Sequence, residues 1–525
     1  MNVDDNIESQ RSPQRGLSLL DRLRETALWR SMFRSGYPST DENRALVMFN
    51  SFFLHIHPVK VKKNSLKINY TWGLGVISAY LFFLLTLTGG ILMFLYVPSV
   101  GQAYQDMQAL ETSVMFGMML RNLHRWGAHL MVLVVFLHMC RVFFTGGYKT
   151  PREANWVFGV LLWVFTLLLS FSGYLLPYDQ LSYWAITVAT NIAAYTPFLG
   201  DKARVFLLGG YDVGQAALQR FYALHIFLLP AVVIIFLGIH FWRVRKDGGL
   251  SAPLSETSAA SPEAVVPRQA SPSDTDEQTQ LLPQHPTRTY GLMALMNRTS
   301  PMVKKGPDDN NDNTVFSWPH LMAMELLAIL SATLFLLVVS VCFNAPLRGW
   351  ANPDVTENPA KAPWYFSNLQ EILLHMSPAL SGIWIPVAVI LVLMAVPYIE
   401  RRQEDVGIWF ASRKGRTICI WSSVYTTIAL IGLVHFDEYI GVRRLISSPA
   451  IMPEWIIPLV TIGALMAILY MGIRRWRPNG REIALAYFTA FVATYFVLTI
   501  SGQFFRGIGL HLTPVWNLPP GGLTF

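Results

Sequence analysis

The sequence predicts an all-α integral membrane protein: a four-helix bundle followed by a five-helix C-terminal part, with about nine transmembrane helices. The chain has 525 residues, of which 52% are hydrophobic and 14% are charged, whereas soluble proteins carry about 25% charged residues. Its mean hydropathy is +0.36. This composition argues against a soluble enzyme, a disordered protein and a coiled coil. The three cysteines exclude a disulfide scaffold and an all-cysteine iron–sulfur cluster, which needs four thiolates.

Apolar stretches long enough to cross a bilayer recur along the whole chain. A spanning helix needs about 20 mostly apolar residues, and it must be helical because lipid offers no partners to the backbone. The predicted spans are 73–96, 118–141, 155–176, 222–244, 320–342, 380–398, 416–435, 454–473 and 483–503.

The charges of the loops predict how the chain is oriented. Lysine and arginine gather before the first span and in the loops after the second, sixth and eighth spans, while the loop after the first span carries Asp106 and Glu111 but no lysine. The positive-inside rule therefore places the N-terminus on the cytoplasmic face and the C-terminus on the opposite face. The net charge of +8 reflects this topology and does not indicate nucleic-acid binding.

Two segments lie outside the spans. Residues 17–34 have an apolar face and are expected to form an amphipathic helix in the membrane interface; a solvated tail is the alternative. Residues 247–314 are rich in proline, serine and acidic residues, which is typical of a flexible linker. The predicted organisation begins with a basic N-terminal segment (1–54), a four-span bundle (55–246) and the linker (247–314). A three-span part (315–436) and two extra spans with a tail (437–525) follow.

Four histidines fall inside the second and fourth spans: His124 and His138, 14 residues apart, and His225 and His240, 15 apart. At about 100° and 1.5 Å per residue, each pair shares one broad face, and its members lie about 21–22 Å apart along the helix. Both spans run in the same direction, so the four imidazoles form two levels. This pattern predicts metal ligation in two bis-histidine haems, which carry electrons because no coordination position remains open. A single membrane histidine more often only hydrogen-bonds a neighbour.

Glycines repeat the same spacing on the first and third spans. Gly75 and Gly89 are 14 residues apart, as are Gly159 and Gly173. We expect the missing side chains to make room for the edge of a flat haem macrocycle. The alternative is that these small residues only let helices pack closely.

Cationic residues near the histidines are the expected partners of the haem propionates. They are Arg121, Arg125, Arg141, Arg245 and Lys246. The alternative is that these side chains extend to lipid headgroups from the ends of their helices.

Several motifs resemble the cytochrome b/b6 family of quinol-oxidising bc-type complexes. They are RNLHRWGAH from Arg121, HMCR from His138, TGGYKTPRE from Thr145, SGYLLPYDQ from Ser172, VGQ from Val213 and RFYALH from Arg220. The spacing of 15 is closer to the b6 form. Residues 315–436, with SWP from Ser317 and VPYIE from Val396, resemble subunit IV of the b6f complex, so the chain looks like a fusion of both polypeptides.

The resemblance implies an oxidoreductase subunit that takes part in a Q-cycle. Quinol is oxidised at the outer face; one electron goes to a Rieske iron–sulfur protein, and the other crosses the two haems to reduce quinone at the inner face, with proton translocation. The chain has neither the cysteines for a Rieske centre nor a covalent haem motif. The expected partners are therefore a Rieske protein and a c-type cytochrome, with a homodimer in an energy-transducing membrane such as the bacterial inner membrane.

The resemblance also indicates the outer quinol pocket. Its expected residues are Pro177, Tyr178, Asp179, Gln180, Tyr183, Pro363, Trp364 and Tyr365. The usual Pro-Glu-Trp-Tyr motif reads Ala362-Pro363-Trp364-Tyr365 here, so the glutamate that would accept a quinol proton is absent. Glu371 is the expected substitute; the alternative is a surface carboxylate.

The inner quinone pocket is expected beside His240. Candidate residues are Arg245, Lys246 and Asp247, approached by Lys60, Lys62 and Lys63, although these cations could simply anchor to lipid. Proteins of the b6 type carry an extra haem on a cysteine near the first span; residues 69–73 lack one, so no third haem is expected.

Two other functions compete with this interpretation. A haem b anchor could pass electrons from a dehydrogenase or hydrogenase to quinone, but the paired glycines and the Pro-Trp-Tyr loop speak against it. A transporter could use the histidines as a proton relay, and it would show no haem absorbance. The last two spans have no predicted function.

Overall fold

The computed structural model describes residues 26, 41–51, 56–247, 249, 314–401 and 405–517. Its helices, in chain order, are α1 Asp41–Asn50, α2 Ile68–Thr71, α3 Leu74–Met93, α4 Ala103–Thr112, α5 Gly117–Phe144, α6 Glu153–Tyr174, α7 Gln180–Ala193, α8 Asp201–Leu208, α9 Gln215–Lys246, α10 Ser317–Cys342, α11 Trp364–His375, α12 Leu380–Ile399, α13 Arg413–Tyr439, α14 Val442–Leu445, α15 Met452–Arg474 and α16 Gly480–Phe504.

Nine helices in this described part are long and apolar enough to cross a membrane: α3, α5, α6, α9, α10, α12, α13, α15 and α16. Each overlaps one predicted span, so the all-α membrane fold class is confirmed. We call the side that carries the segment before α3 the inner face. Apart from residue 26, the stretch 17–34 predicted to form an amphipathic helix lies outside the described residues, as does nearly all of the linker at 247–314.

A short two-stranded ribbon joins the two parts of the chain at the inner face, which the sequence did not predict. Strand β1 (Lys60–Lys62) pairs antiparallel with β2 (Thr314–Phe316), with Val61 opposite Val315. The pairing brings the segment before α3 next to the start of α10, across the linker.

Helix α5 is the most enclosed of the nine. Of the residues in its 18-residue apolar stretch, 56% are buried, against 11% for the corresponding stretch of α3 and 6% for that of α9. It packs against α3, α6 and α10. Both histidines of α5 therefore lie inside the bundle, where protein and not lipid determines their surroundings.

The last helix, α16, is the second most buried of the nine helices, with 44% of its apolar stretch buried. Phe488 stacks on Phe143 of α5 with ring centroids 3.7 Å apart, and Tyr495 stacks on Phe136 at 4.7 Å. Although the sequence sets residues 437–525 apart from the first four spans, α16 shares a hydrophobic core with α5.

Four shorter helices lie at the outer face. Helix α4 follows α3, helices α7 and α8 follow α6, and α11 lies between α10 and α12. The carboxylate of Asp179 accepts a hydrogen bond from the Ser182 backbone N–H at 2.9 Å and so caps the first turn of α7. Helices α4, α7 and α11 contribute Met107, Leu181 and Tyr365 to the wall of the cavity described next.

Candidate functional site

His124 of α5 and His225 of α9 face each other near the outer face. Their ring centroids are 6.3 Å apart and the rings are nearly perpendicular, at 78°. These two imidazoles would hold one metal centre between them. His225 Nδ1 lies 3.0 Å from the Leu169 carbonyl oxygen, and His124 Nδ1 lies 2.9 Å from Thr88 Oγ1. Because these contacts occupy Nδ1, Nε2 is the nitrogen available to a ligand on each ring.

His138 and His240 form the inner level. They lie close enough to interact electrostatically, and His138 lines a second cavity of about 320 Å³ together with Gly75 and Arg141. The two levels that the sequence predicted are therefore both present in the fold.

A wider turn in α9 reconciles the two histidine spacings. Leu224–Leu228, which includes His225, forms a π-helical turn within the α-helix. A π-turn inserts about one extra residue, which shifts the following helix by roughly 100° and 1.5 Å. The 15-residue spacing on α9 therefore becomes equivalent to the 14-residue spacing on α5, in both direction and height.

Each of the four spaced glycines packs against one histidine. A Cβ built on glycine would approach the imidazole Cε1 at 3.1 Å for Gly89 and His124, 3.2 Å for Gly75 and His138, 2.5 Å for Gly173 and His225, and 3.7 Å for Gly159 and His240. At Gly75, Gly89 and Gly173 the missing side chain thus makes room for a histidine ring, whereas a Cβ at Gly159 would make an ordinary contact. The clearance for the macrocycle edge stays a prediction.

The outer cavity has a volume of about 360 Å³ and extends beyond the histidines. Its lining runs from His124 and His225 to Pro177, Asp179 and Tyr365. The space next to the outer histidines is therefore continuous with part of the predicted quinol pocket.

Two arginines, each with a buried guanidinium nitrogen, meet the requirement for propionate partners. Arg125 Nε and Arg141 Nη2 are buried and have no hydrogen-bond partner among the described residues. Their guanidinium groups lie over the rings of Tyr174 and Tyr70, at 4.7 and 4.6 Å. Unpaired guanidinium nitrogens beside the histidines fit the carboxylates of a haem, because such pairs form charge-assisted hydrogen bonds.

The other predicted cations have protein contacts. Arg121 lines the outer cavity, but Nη1 bonds Glu111 at 2.6 Å and the Ala345 carbonyl at 2.8 Å. Lys246 lies over the Trp242 ring at 4.9 Å, on the same last turn of α9 as Arg245. These contacts favour structural roles for Arg121 and Lys246.

The inner cavity has a different lining from the one expected. Within the described part of the chain its lining includes neither Arg245 nor Lys246, and Asp247 lies 3.3 Å from Arg243. The cavity is lined instead by Glu325 of α10, whose carboxylate lies 3.1 Å from His57 Nε2. The sequence offered no periodic signal for this pair, which the β-ribbon and α10 bring together.

The residues predicted after α6 lie at the outer wall. Pro177 and Asp179 line the cavity; Asp179 also accepts a hydrogen bond from the Arg348 backbone N–H at 2.9 Å. Tyr178 donates to the Val213 carbonyl at 2.7 Å and meets the Tyr183 ring edge-on. Burial and the nearby Tyr183 raise the pKa of Tyr178 to about 12.

The Pro-Trp-Tyr segment begins helix α11. Pro363 is the N-cap, and the Trp364 indole donates to His129 Nδ1 at 3.0 Å. Tyr365 lines the cavity and meets the same His129 ring edge-on, with centroids 5.7 Å apart. The motif therefore ties α11 to α5 at the cavity.

His129 is a cavity residue that the sequence interpretation passed over. It is 8% exposed, it lines the outer cavity, and its Nε2 has no hydrogen-bond partner in the described structure. Its only signal was its place in the quoted motif RNLHRWGAH, five residues after His124.

Glu371 lies on α11 but does not line the outer cavity described above. It is fully buried and paired with Arg506, with Nη2–Oε1 at 2.6 Å and Nε–Oε2 at 2.9 Å. Burial alone would raise the pKa of Glu371, but hydrogen bonds from His375 and Arg506 outweigh it and hold this pKa below its ordinary value. Its role as a proton acceptor stays a prediction, which these contacts do not favour.

A bundle of membrane-spanning helices with facing histidines defines the class of integral membrane proteins with paired intramembrane histidines. The chain matches the family model for cytochrome b/b6/petB over residues 59–248. It is 43% identical over 187 residues to cytochrome b6 of Synechococcus sp. (strain CC9902), a match covering 36% of this chain and 85% of that protein. It is also 43% identical over 198 residues to cytochrome b6 of Heliomicrobium gestii, covering 38% and 91%. The chain therefore belongs to the cytochrome b/b6 family, whose members bind haem b, and the predicted resemblance is confirmed.

The fold as a whole also resembles a solved structure described as "Hyperthermophilic respiratory Complex III". The TM-score is 0.54 with 20% identity, and the match covers 92% of this chain and 97% of that one. At this identity the similarity concerns the fold. It extends over much of α10 to α16, beyond the region of the family model.

Proposed function

We propose that the chain is the cytochrome b subunit of a bc-type quinol-oxidising complex. His124 and His225 would hold an outer haem b, and His138 and His240 an inner one. The observation that carries this proposal is the match of four histidines with four glycines, one glycine behind each ring. Bound haem would supply one-electron transfer across the membrane.

The chain's own residues orient and enclose these groups. Hydrogen bonds to Nδ1 hold the outer imidazoles in place. Arg125 and Arg141 would pair with propionates, in keeping with their unpartnered buried nitrogens. The enclosing helices exclude water, which strengthens each of these electrostatic contacts.

Quinol oxidation is proposed in the outer cavity, beside Tyr365 and Pro177. A planar head group fits an aromatic and apolar wall with few polar groups. Because the cavity runs without interruption to His124 and His225, a head group at Tyr365 would lie next to the outer haem site. Its protons would leave toward the outer face.

Quinone reduction is proposed in the inner cavity, next to His138. The His57–Glu325 pair at this cavity offers two groups that can exchange protons with the inner side. A Rieske protein, a c-type cytochrome and a second copy of the chain are the partners that the family implies. The cytoplasmic N-terminus is supported by the distribution of basic loops.

The test is a reduced-minus-oxidised spectrum of the purified native complex, with haem quantified per chain. We expect b-type absorbance from two haems. His225→Leu should remove the outer haem and leave the inner one, and His240→Leu should do the reverse. A full haem content in both variants would refute the ligand assignment, and no b-type absorbance in the native complex would refute the function.

A further inference from the structure

Helix α16 contacts the helix that carries the Pro-Trp-Tyr segment. The Tyr495 hydroxyl donates to the Tyr365 carbonyl at 3.2 Å, and Ser367 Oγ donates to Gln503 Oε1 at 2.9 Å. At Gly502 a Cβ would lie 2.8 Å from the Ser367 carbonyl oxygen. The two helices are thus in close contact along α11, and the absence of a side chain at Gly502 permits their approach.

A buried ion pair closes the outer end of this contact. Arg506 follows α16 directly, and its side chain is 2% exposed while that of Glu371 is 0% exposed. Besides the bidentate pair with Glu371, Arg506 Nη1 binds Glu438 of α13 at 2.7 Å. Ser501 of α16 adds a hydrogen bond to Glu371 at 2.9 Å. Arg506 therefore joins α11, α13 and α16 through one guanidinium group.

A second buried arginine fixes the inner end of α16. Arg481 is 1% exposed; it donates to the Tyr148 hydroxyl and, at 2.6 Å, to the Phe143 carbonyl. With both ends fixed and its middle stacked on α5, α16 is a firm support against which α11 can be held.

We propose that Arg506 is a positioning residue for quinol oxidation. By holding Glu371, it keeps α11, and with it Trp364 and Tyr365, in place at the outer cavity. This inference rests on the proposed function of that cavity. It gives helix α16 a role in the complex. It also assigns Glu371 a structural role in place of the proton-accepting role that the sequence suggested.

The test measures steady-state quinol oxidation by the native complex with short-chain ubiquinol and menaquinol analogues. Arg506→Gln should lower kcat/KM by about 10- to 100-fold with haem content unchanged, because small displacements of positioned groups have effects of this size. Arg506→Lys should be intermediate, since lysine keeps the charge but cannot form a bidentate pair.

The double variant E371Q/R506Q separates the two roles of Glu371. With both members of the buried pair neutralised, neither leaves the other as an unpaired buried charge, and the two amides can still hydrogen-bond. Glu438 loses Arg506 but keeps His511 as a partner at 3.0 Å. Positioning therefore predicts that the double variant is more active than R506Q alone. If Glu371 accepts a proton, E371Q and the double variant should be equally inactive, and this result would overturn the proposal.

Arg481→Gln is the matched control, because it breaks the inner attachment of the same helix. It should lower thermal stability without changing the KM for quinol. Equal kinetic losses in R481Q and R506Q would show a general effect of α16 and contradict local positioning, as would wild-type kinetics in R506Q. A wild-type complex that oxidises no quinol would instead refute the proposed function. Should R506Q fail to assemble, the Lys and double variants decide the question.

Discussion

Gly173→Ala tests the arrangement of the haem site most directly. A Cβ at this position would lie 2.5 Å from His225 Cε1, 2.9 Å from Nδ1 and 3.0 Å from Nε2. It would therefore clash with one side of the imidazole ring. Carbon atoms pack best at about 3.5–4.0 Å, so the imidazole must move by about 1 Å. Its Nδ1 is held by the Leu169 carbonyl at 3.0 Å, which resists this movement.

The size of the effect of each glycine-to-alanine change on stability follows from two opposing contributions. Overpacking a filled site costs about 1–3 kcal/mol, while replacing glycine by alanine in a helix gains about 1 kcal/mol. At Gly173 the clash outweighs the gain. At Gly159 the nearest atom, His240 Cε1, would be 3.7 Å away, an ordinary contact, so the gain decides and Gly159→Ala should be tolerated.

The assay compares haem content and the two midpoint potentials of purified wild type, G173A and G159A. We expect G173A to lose outer haem or shift its potential, and G159A to keep both haems. A G173A protein with wild-type haem and potentials would refute the packing argument, and so would a G159A protein that is equally damaged.

Three further predictions concern charged and polar side chains. Arg125→Gln and Arg141→Gln should each lower the midpoint potential of the nearer haem, measured by redox titration, because a cation beside a propionate disfavours the extra positive charge of the oxidised state. For His375, burial alone would lower the pKa, but hydrogen bonds to neighbouring carboxylates raise it above 6.5. The stabilisation by protonated His375 is therefore full below pH 6.5 and is lost as the pH rises through the raised pKa. His375→Gln should accordingly make the melting temperature less dependent on pH over that range. His129→Phe removes the acceptor of the Trp364 indole, so stability should fall by about 1–3 kcal/mol in denaturant titrations.

The sequence predicted the parts of this molecule that depend on local pattern. Each of the nine apolar stretches corresponds to a helix of membrane-crossing length in the described part of the chain, because hydropathy is a property of each segment by itself. His124 and His138, and the glycines 14 residues apart, were identified because helical periodicity relates residues within one helix. Which glycine faces which histidine was not predictable, since that depends on the packing of different helices.

Long-range polar contacts were out of reach for the same reason. Glu371 and Arg506 are separated by 135 residues, and neither stands in a local pattern that indicates the other. His57 and Glu325 meet only because β1 pairs with β2 across the linker.

The change in the quinol motif and the added helix affect the same structural element. Pro363 takes the position where the family has glutamate, which removes a carboxylate from the start of α11. Glu371 restores one about two turns later, but Arg506 pairs with it away from the cavity and holds its pKa low. The net result is a pocket without a readily protonated carboxylate on α11. The pH dependence of the quinol oxidation rate should therefore show no ionisation of a carboxyl group on this helix. E371Q should change the rate without shifting this pH dependence.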